Sequence, residues 1–131
     1  MLITNLNLTN YRSYTNLEIQ LESGVSILIG KNGEGKTNIA ESILYLTFLN
    51  SHRASGNTPL IKLGNQAAYI RAKVKYPERE ILVELEINAE KANRAKINQN
   101  PVRECLSILP HWLLRYFPGN RQIKHWNSLR R

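Results

Sequence analysis

VSILIGKNGEGKTNIAESILYLTFL, residues 25–49, decides the fold. A continuous apolar run, VSILI, runs into a glycine-rich loop, and the loop runs into a segment with helical periodicity. A run with no polar alternation suits a central strand covered on both faces. The loop itself, residues 30–37, fits GxxxxGK[ST] and consists of Gly30, Lys31, Asn32, Gly33, Glu34, Gly35, Lys36 and Thr37. Its glycines permit a tight turn that brings successive N–H groups toward one point, and a helix N-terminus adds partial positive charge there. An anionic phosphate suits that arrangement. In this pattern Lys36 reaches the β and γ phosphates of a nucleotide, and the Thr37 hydroxyl ligates Mg²⁺.

Outward from the loop, the flanking patterns separate into two kinds. Ile39, Ala40, Ile43, Leu44, Tyr45, Leu46 and Phe48 make the following helix apolar on most sides, so it is expected to lie against a sheet. Ahead of the apolar run, Ile3, Leu6 and Leu8, then Leu17, Ile19 and Leu21, imply a strand pair joined around NYRSY. Beyond the helix, SHRASGNTP (51–59) has the composition of an exposed loop. Ala68, Ile70, Ala72, Val74 and Tyr76 then alternate with polar or charged residues, as do Ile81, Val83, Leu85 and Ile87. Two antiparallel strands with one wet face follow, with RAKIN (94–98) as a third before an NQNP turn. VRECLSIL (102–109) reads as a short helix stopped by Pro110, and residues 111–131 continue no pattern.

Composition narrows the function classes. With 131 residues and 42% apolar content, the expectation is one globular domain. The longest apolar runs are too short for a membrane-spanning helix. The first twenty residues lack a basic start and an apolar core, so no secretory signal is expected and the compartment is read as cytoplasmic. Cys105 is the single cysteine and reads as a buried, inert thiol. The formal charge is +8, and the basic excess favours a polyanionic partner such as nucleic acid.

Hydrolysis needs more than a cradle. A second acidic residue at the end of another buried strand must hold the metal through water, and a further group must orient the attacking water. All 10 acidic residues of the chain are Glu, and there is no Asp. The nearest match is Glu84 after Ile81, Leu82 and Val83, but the alternation continues through Ile87 and places Glu84 on a wet strand face. No catalytic residue is assigned.

The stretches TNYRSY (9–14), GKNGEGKTNIAESI (30–43), SHR (51–53) and INQNPV (97–102) together resemble the N-terminal part of the RecF family over about residues 1–110. That resemblance implies an α/β P-loop NTPase, the N-terminal lobe of an ABC-type ATPase head like those of the SMC and Rad50 proteins. A mixed sheet around the P-loop helix and an antiparallel β subdomain are expected with it. It further implies ATP and Mg²⁺ as cofactors and single-stranded, gapped or junction DNA as partner. Mediators of the RecO and RecR type, an ATP-dependent homodimer and a role in the SOS response complete the implied picture. Arg12 and Arg53, with His52 beside it, fall in family motifs and are candidates for phosphate or DNA contact; Arg71, Lys73 and Lys75 share a strand face that could touch DNA. An exposed loop or solvated face is the competing reading for each.

Two departures qualify the resemblance. The family's signature motif and metal-binding acid have no counterpart here, so the chain reads as truncated and unable to hydrolyse ATP alone. Residues 111–131 form a basic tail that leaves the family pattern, where YFPGNRQ carries no acid, as a shifted reading frame or an early stop would produce. The alternative is a nucleotide-binding module without turnover, or an inactive fragment.

Overall fold

The computed structural model describes residues 2–48 and 53–102. Its elements in chain order are β1 (Leu2–Tyr11), β2 (Tyr14–Gln20), α1 (Lys36–Phe48), β3 (Ala67–Lys75), β4 (Glu80–Asn88), β5 (Arg94–Ile97) and β6 (Asn100–Val102). A short 3₁₀ turn, Thr58–Leu60, lies between α1 and β3. The strands form one six-stranded sheet in the order β2-β1-β3-β4-β5-β6. Each neighbouring pair is antiparallel.

Alternation explains why these strands pair as they do. On β3, Ala68, Ile70, Ala72 and Val74 are buried, and on β4 so are Ile81, Val83, Leu85 and Ile87. The register sets Ala68 against Ile87, Ile70 against Leu85, Ala72 against Val83 and Val74 against Ile81, so one face of the ribbon is wholly apolar. A slip of one residue would turn that face to water. Leu6 and Leu8 of β1 join the same face opposite Ala72 and Ile70. The spacing from Ile3 to Leu6 breaks strict alternation, and the register shifts between Ile3 and Asn5. An extra residue in the strand restores Leu6 and Leu8 to the buried side.

Helix α1 completes the core through Ile39, Tyr45 and Leu46, while Ala40 faces solvent. Leu60, the last residue of the 3₁₀ turn, and Ile61 after it close the core at the β1–β2 end. There Arg12 N–H donates to the Leu60 carbonyl at 2.8 Å, and Lys62 N–H donates to that of Asn10 at 2.8 Å.

Two expectations change. Residues 25–29 form no strand and pair with none among the described residues, so the sheet is antiparallel and not mixed. Val25 is 92% exposed, Ile27 77% and Ile29 91%. A run covered on both faces needs neighbours from distant sequence, and the described residues supply their strands to a separate antiparallel sheet. Asn100–Val102 form strand β6 against β5, where a turn and the start of a helix were expected. Asn98 and Gln99 take positive φ, at +48° and +68°, and fold the chain into a two-residue hairpin that brings Pro101 and Val102 back beside β5. The expected helix from residue 103, Cys105, His52 and the tail lie outside the described residues.

Candidate nucleotide-binding site

The phosphate loop leads directly into α1. Gly33 and Gly35 have φ of +89° and +93°, a region that side chains with a Cβ enter at a cost. Asn38 N–H and Ile39 N–H both donate to the Gly35 carbonyl, at 2.8 and 3.2 Å, which makes Gly35 the residue on which the helix starts. Helix geometry leaves the N–H groups of Lys36 and Thr37 without an intrahelical acceptor. The helix dipole points its positive end at the same spot.

Lys36 folds back over the loop, its Nζ donating to the carbonyls of Gly30 at 2.6 Å and Lys31 at 2.5 Å. Glu34 bends the same way, its Oε2 accepting from the Lys31 N–H at 2.7 Å. The loop thereby closes around its own ammonium and carboxylate. A nucleotide polyphosphate suits the donor set, because Lys36 can exchange two neutral carbonyls for charged oxygens and a charge-assisted bond is the stronger one. Bound nucleotide with Mg²⁺ supplies the anionic oxygens and the metal. Within this chain Lys36 and the loop N–H groups would hold the phosphates, and the exposed Thr37 hydroxyl would face the metal.

A second layer holds the loop to the sheet. β1 and β2 are closed by Arg12 and Ser13 between the Tyr11–Tyr14 pair. Arg12 has φ of +52°, a conformation that costs a residue with a Cβ energy unless its surroundings enforce it. Those surroundings are extensive. Arg12 Nε donates to Glu41 Oε2 at 2.9 Å and Nη2 to Oε1 at 2.7 Å, a bidentate pair, while Nη1 donates to the Pro59 carbonyl at 2.9 Å. Glu41, on α1, is 1% exposed, and Arg53 Nη1 approaches it at 3.7 Å. The hydrogen bonds to Glu41 raise the Arg12 pKa further above its ordinary value, so the guanidinium stays charged. Burial, then the nearby Glu41 carboxylate, raises the Tyr11 pKa and keeps that phenol neutral.

The candidate residues thus separate. Loop residues 30–37 come together as one site. Arg12 and Arg53 converge on Glu41, and Arg53 also donates to Asn38 Oδ1 at 3.2 Å. Arg71 pairs with Glu84 at 3.1 Å and lies over the Tyr69 ring. Glu84 is thereby occupied with an arginine on a wet face. Lys73 and Lys75 are exposed on β3, with Lys75 opposite Glu80. Sequence reasoning missed Glu41, because a carboxylate in a helix ordinarily marks the solvated side. The available signal was its position: Ser42, Tyr45 and Leu46 place it inside the apolar arc, where only a paired charge survives.

The fold and the loop define a P-loop ATPase domain. Residues 1–108 match the AAA ATPase domain family, and the chain belongs to that family. Curated proteins similar to this chain include RecF, the DNA replication and repair protein, from several organisms. That of Streptomyces avermitilis is 49% identical over 100 residues, covering 76% of this chain and 27% of its own length. That of Kineococcus radiotolerans is 47% identical over 109 residues, covering 83% and 28%. The chain therefore spans under a third of the relatives it matches. Among solved structures, the recombination mediator protein RecF with ATP, from the RecFOR pathway, superposes with a TM-score of 0.77 at 25% identity, over 84% of this chain and 31% of that one. An SMC ATPase structure matches with a TM-score of 0.73 at 20% identity, over 95% of both chains, and shows the shared fold. The expected ABC-type head lobe is the observed one.

Proposed function

We propose that this chain is the nucleotide-binding lobe of a RecF-type protein, taking up ATP with Mg²⁺ through residues 30–37 in the service of DNA replication and repair. The observation that carries the reading is the closed loop at the start of α1, with Lys36 Nζ resting on the Gly30 and Lys31 carbonyls. In this reading the chain binds ATP and does not turn it over alone, because Glu84, the carboxylate among the described residues that follows an apolar run on its strand, is committed to Arg71.

The wider activity belongs to the same reading. Its partners are single-stranded, gapped or junction DNA and mediators of the RecO and RecR type, with ATP-dependent pairing of two heads, a cytoplasmic location and a part in the SOS response. Lys73 and Lys75 are the cations proposed for DNA contact, whereas Arg53 is engaged with Glu41 and Asn38. Arg12 and Arg71 are already held by Glu41 and Glu84.

Equilibrium dialysis of the chain with labelled ATP and Mg²⁺ tests the proposal. Saturable binding that falls at least about tenfold in Lys36→Ala is expected, since a charged donor to phosphate contributes roughly 1.5–3 kcal/mol. Absence of saturable binding by the folded wild-type chain refutes it, and steady phosphate release abolished by Lys36→Ala refutes the claim of no turnover. The exposure of Val25, Ile27 and Ile29 favours a second reading, a self-associating polypeptide that does not retain nucleotide. The same dialysis separates the two.

A further inference from the structure

The side chain of Tyr14 carries the β1–β2 hairpin onto the phosphate loop. The Tyr14 hydroxyl donates to the Glu34 carbonyl at 3.1 Å. A Cβ placed on Gly35 would lie 2.5 Å from that hydroxyl oxygen and 2.8 Å from the ring carbon bearing it, so Tyr14 sits directly on the peptide joining Glu34 to Gly35. The adjacent Ser13 Oγ accepts from Asn38 Nδ2 at 3.3 Å, in the first turn of α1.

Peptide geometry gives this contact a consequence. In a planar trans peptide the carbonyl and the N–H point in opposite directions. Fixing the Glu34 carbonyl toward Tyr14 therefore fixes the Gly35 N–H away from the hairpin. Gly35, at φ +93° and without a Cβ, places few limits of its own on that peptide. Tyr14 is itself positioned by its pairing with Tyr11 across the hairpin end.

We propose that Tyr14 is a positioning residue for polyphosphate recognition: its hydroxyl holds the 34–35 peptide in one orientation, so the Gly35 N–H is kept for the ligand before the ligand arrives. The ligand class is a nucleoside di- or triphosphate, and the assignment rests on the nucleotide-binding reading above. Order that is already present need not be imposed on binding, so its loss appears as weaker affinity and not as a weaker fold.

The test compares wild type, Tyr14→Phe and Ser13→Ala, all in the full chain, by dialysis against Mg²⁺·ATP and against inorganic tripolyphosphate, with thermal midpoints taken without ligand. Tyr14→Phe is expected to weaken both ligands by about three- to tenfold, the range for one neutral hydrogen bond. Equal loss for the two ligands places the effect on the phosphates and not on the base. Its midpoint is expected to stay within about 2 °C of wild type, since no buried group is removed. Ser13→Ala, which alters the same hairpin tip but leaves the 34–35 peptide held, is expected to bind as wild type does. Wild-type affinities in Tyr14→Phe, or equal losses in Tyr14→Phe and Ser13→Ala, overturn the assignment while leaving nucleotide binding intact. Failure of the folded wild type to bind either ligand ends both.

Discussion

Residues 67–88 and residues 25–29 are both strongly apolar, and the structure treats them in opposite ways. Every residue from Ala67 to Lys75 has a partner on β4, and the core-facing apolar positions of both strands are buried. In 25–29 the side chains of Val25, Ile27 and Ile29 stand in solvent. The difference lies in where each segment finds its neighbours. A strand of alternating pattern needs one covered face, and the next strand in sequence supplies its edge through a short turn. A continuous apolar run needs both faces and both edges, and these come from remote sequence. It follows that the phosphate loop is not held here by the apolar segment before it. The hairpin tip and α1 hold it, through Tyr14 on Glu34 and Arg12 on Glu41.

Substitutions of the same type in the two regions give the largest contrast. Ile70→Ala, at a fully buried site, is expected to cost about 4 kcal/mol in urea unfolding, whereas Ile29→Ala is expected to stay within about 0.5 kcal/mol. Similar losses at the two sites would erase the distinction. The next effect concerns the tie between hairpin and helix. Arg12→Ala leaves the Glu41 carboxylate buried with Arg53 at 3.7 Å, and about 2 kcal/mol is expected by the same method. The corresponding change on the sheet face, Arg71→Ala, removes a half-exposed pair and is expected to cost less than about 1 kcal/mol. An Arg71 effect as large as that of Arg12 would mean that the wet face, and not the hairpin, carries the tie.

Legibility in the sequence followed the range of the interactions. The β1–β2 pair, β3, β4 and β5 could be read because their alternation records a local face, and even the bulge left a trace in the gap between Ile3 and Leu6. The loop and helix could be read because GxxxxGK[ST] is a local chemical requirement. β6 escaped because Pro101 beside Asn98, Gln99 and Asn100 has the composition of a turn, which the chain does make, followed by a strand only three residues long. Glu41 and Tyr14 escaped for another reason. Their partners, Arg12 and Glu34, lie 29 and 20 residues away, and no periodicity connects them. The apolar character of 25–29 was read correctly, but the burial inferred from it depends on strands the described residues do not provide.

Residue-resolved amide hydrogen exchange, with and without saturating Mg²⁺·ATP, tests most directly whether hairpin and helix alone sustain a working phosphate loop. Strong protection in β3 and β4, near-unprotected amides in 25–29 and slowing by nucleotide centred on 33–37 are expected. Protection of 25–29 equal to that of β3, or exchange at 33–37 that saturating nucleotide leaves unchanged, would contradict the account.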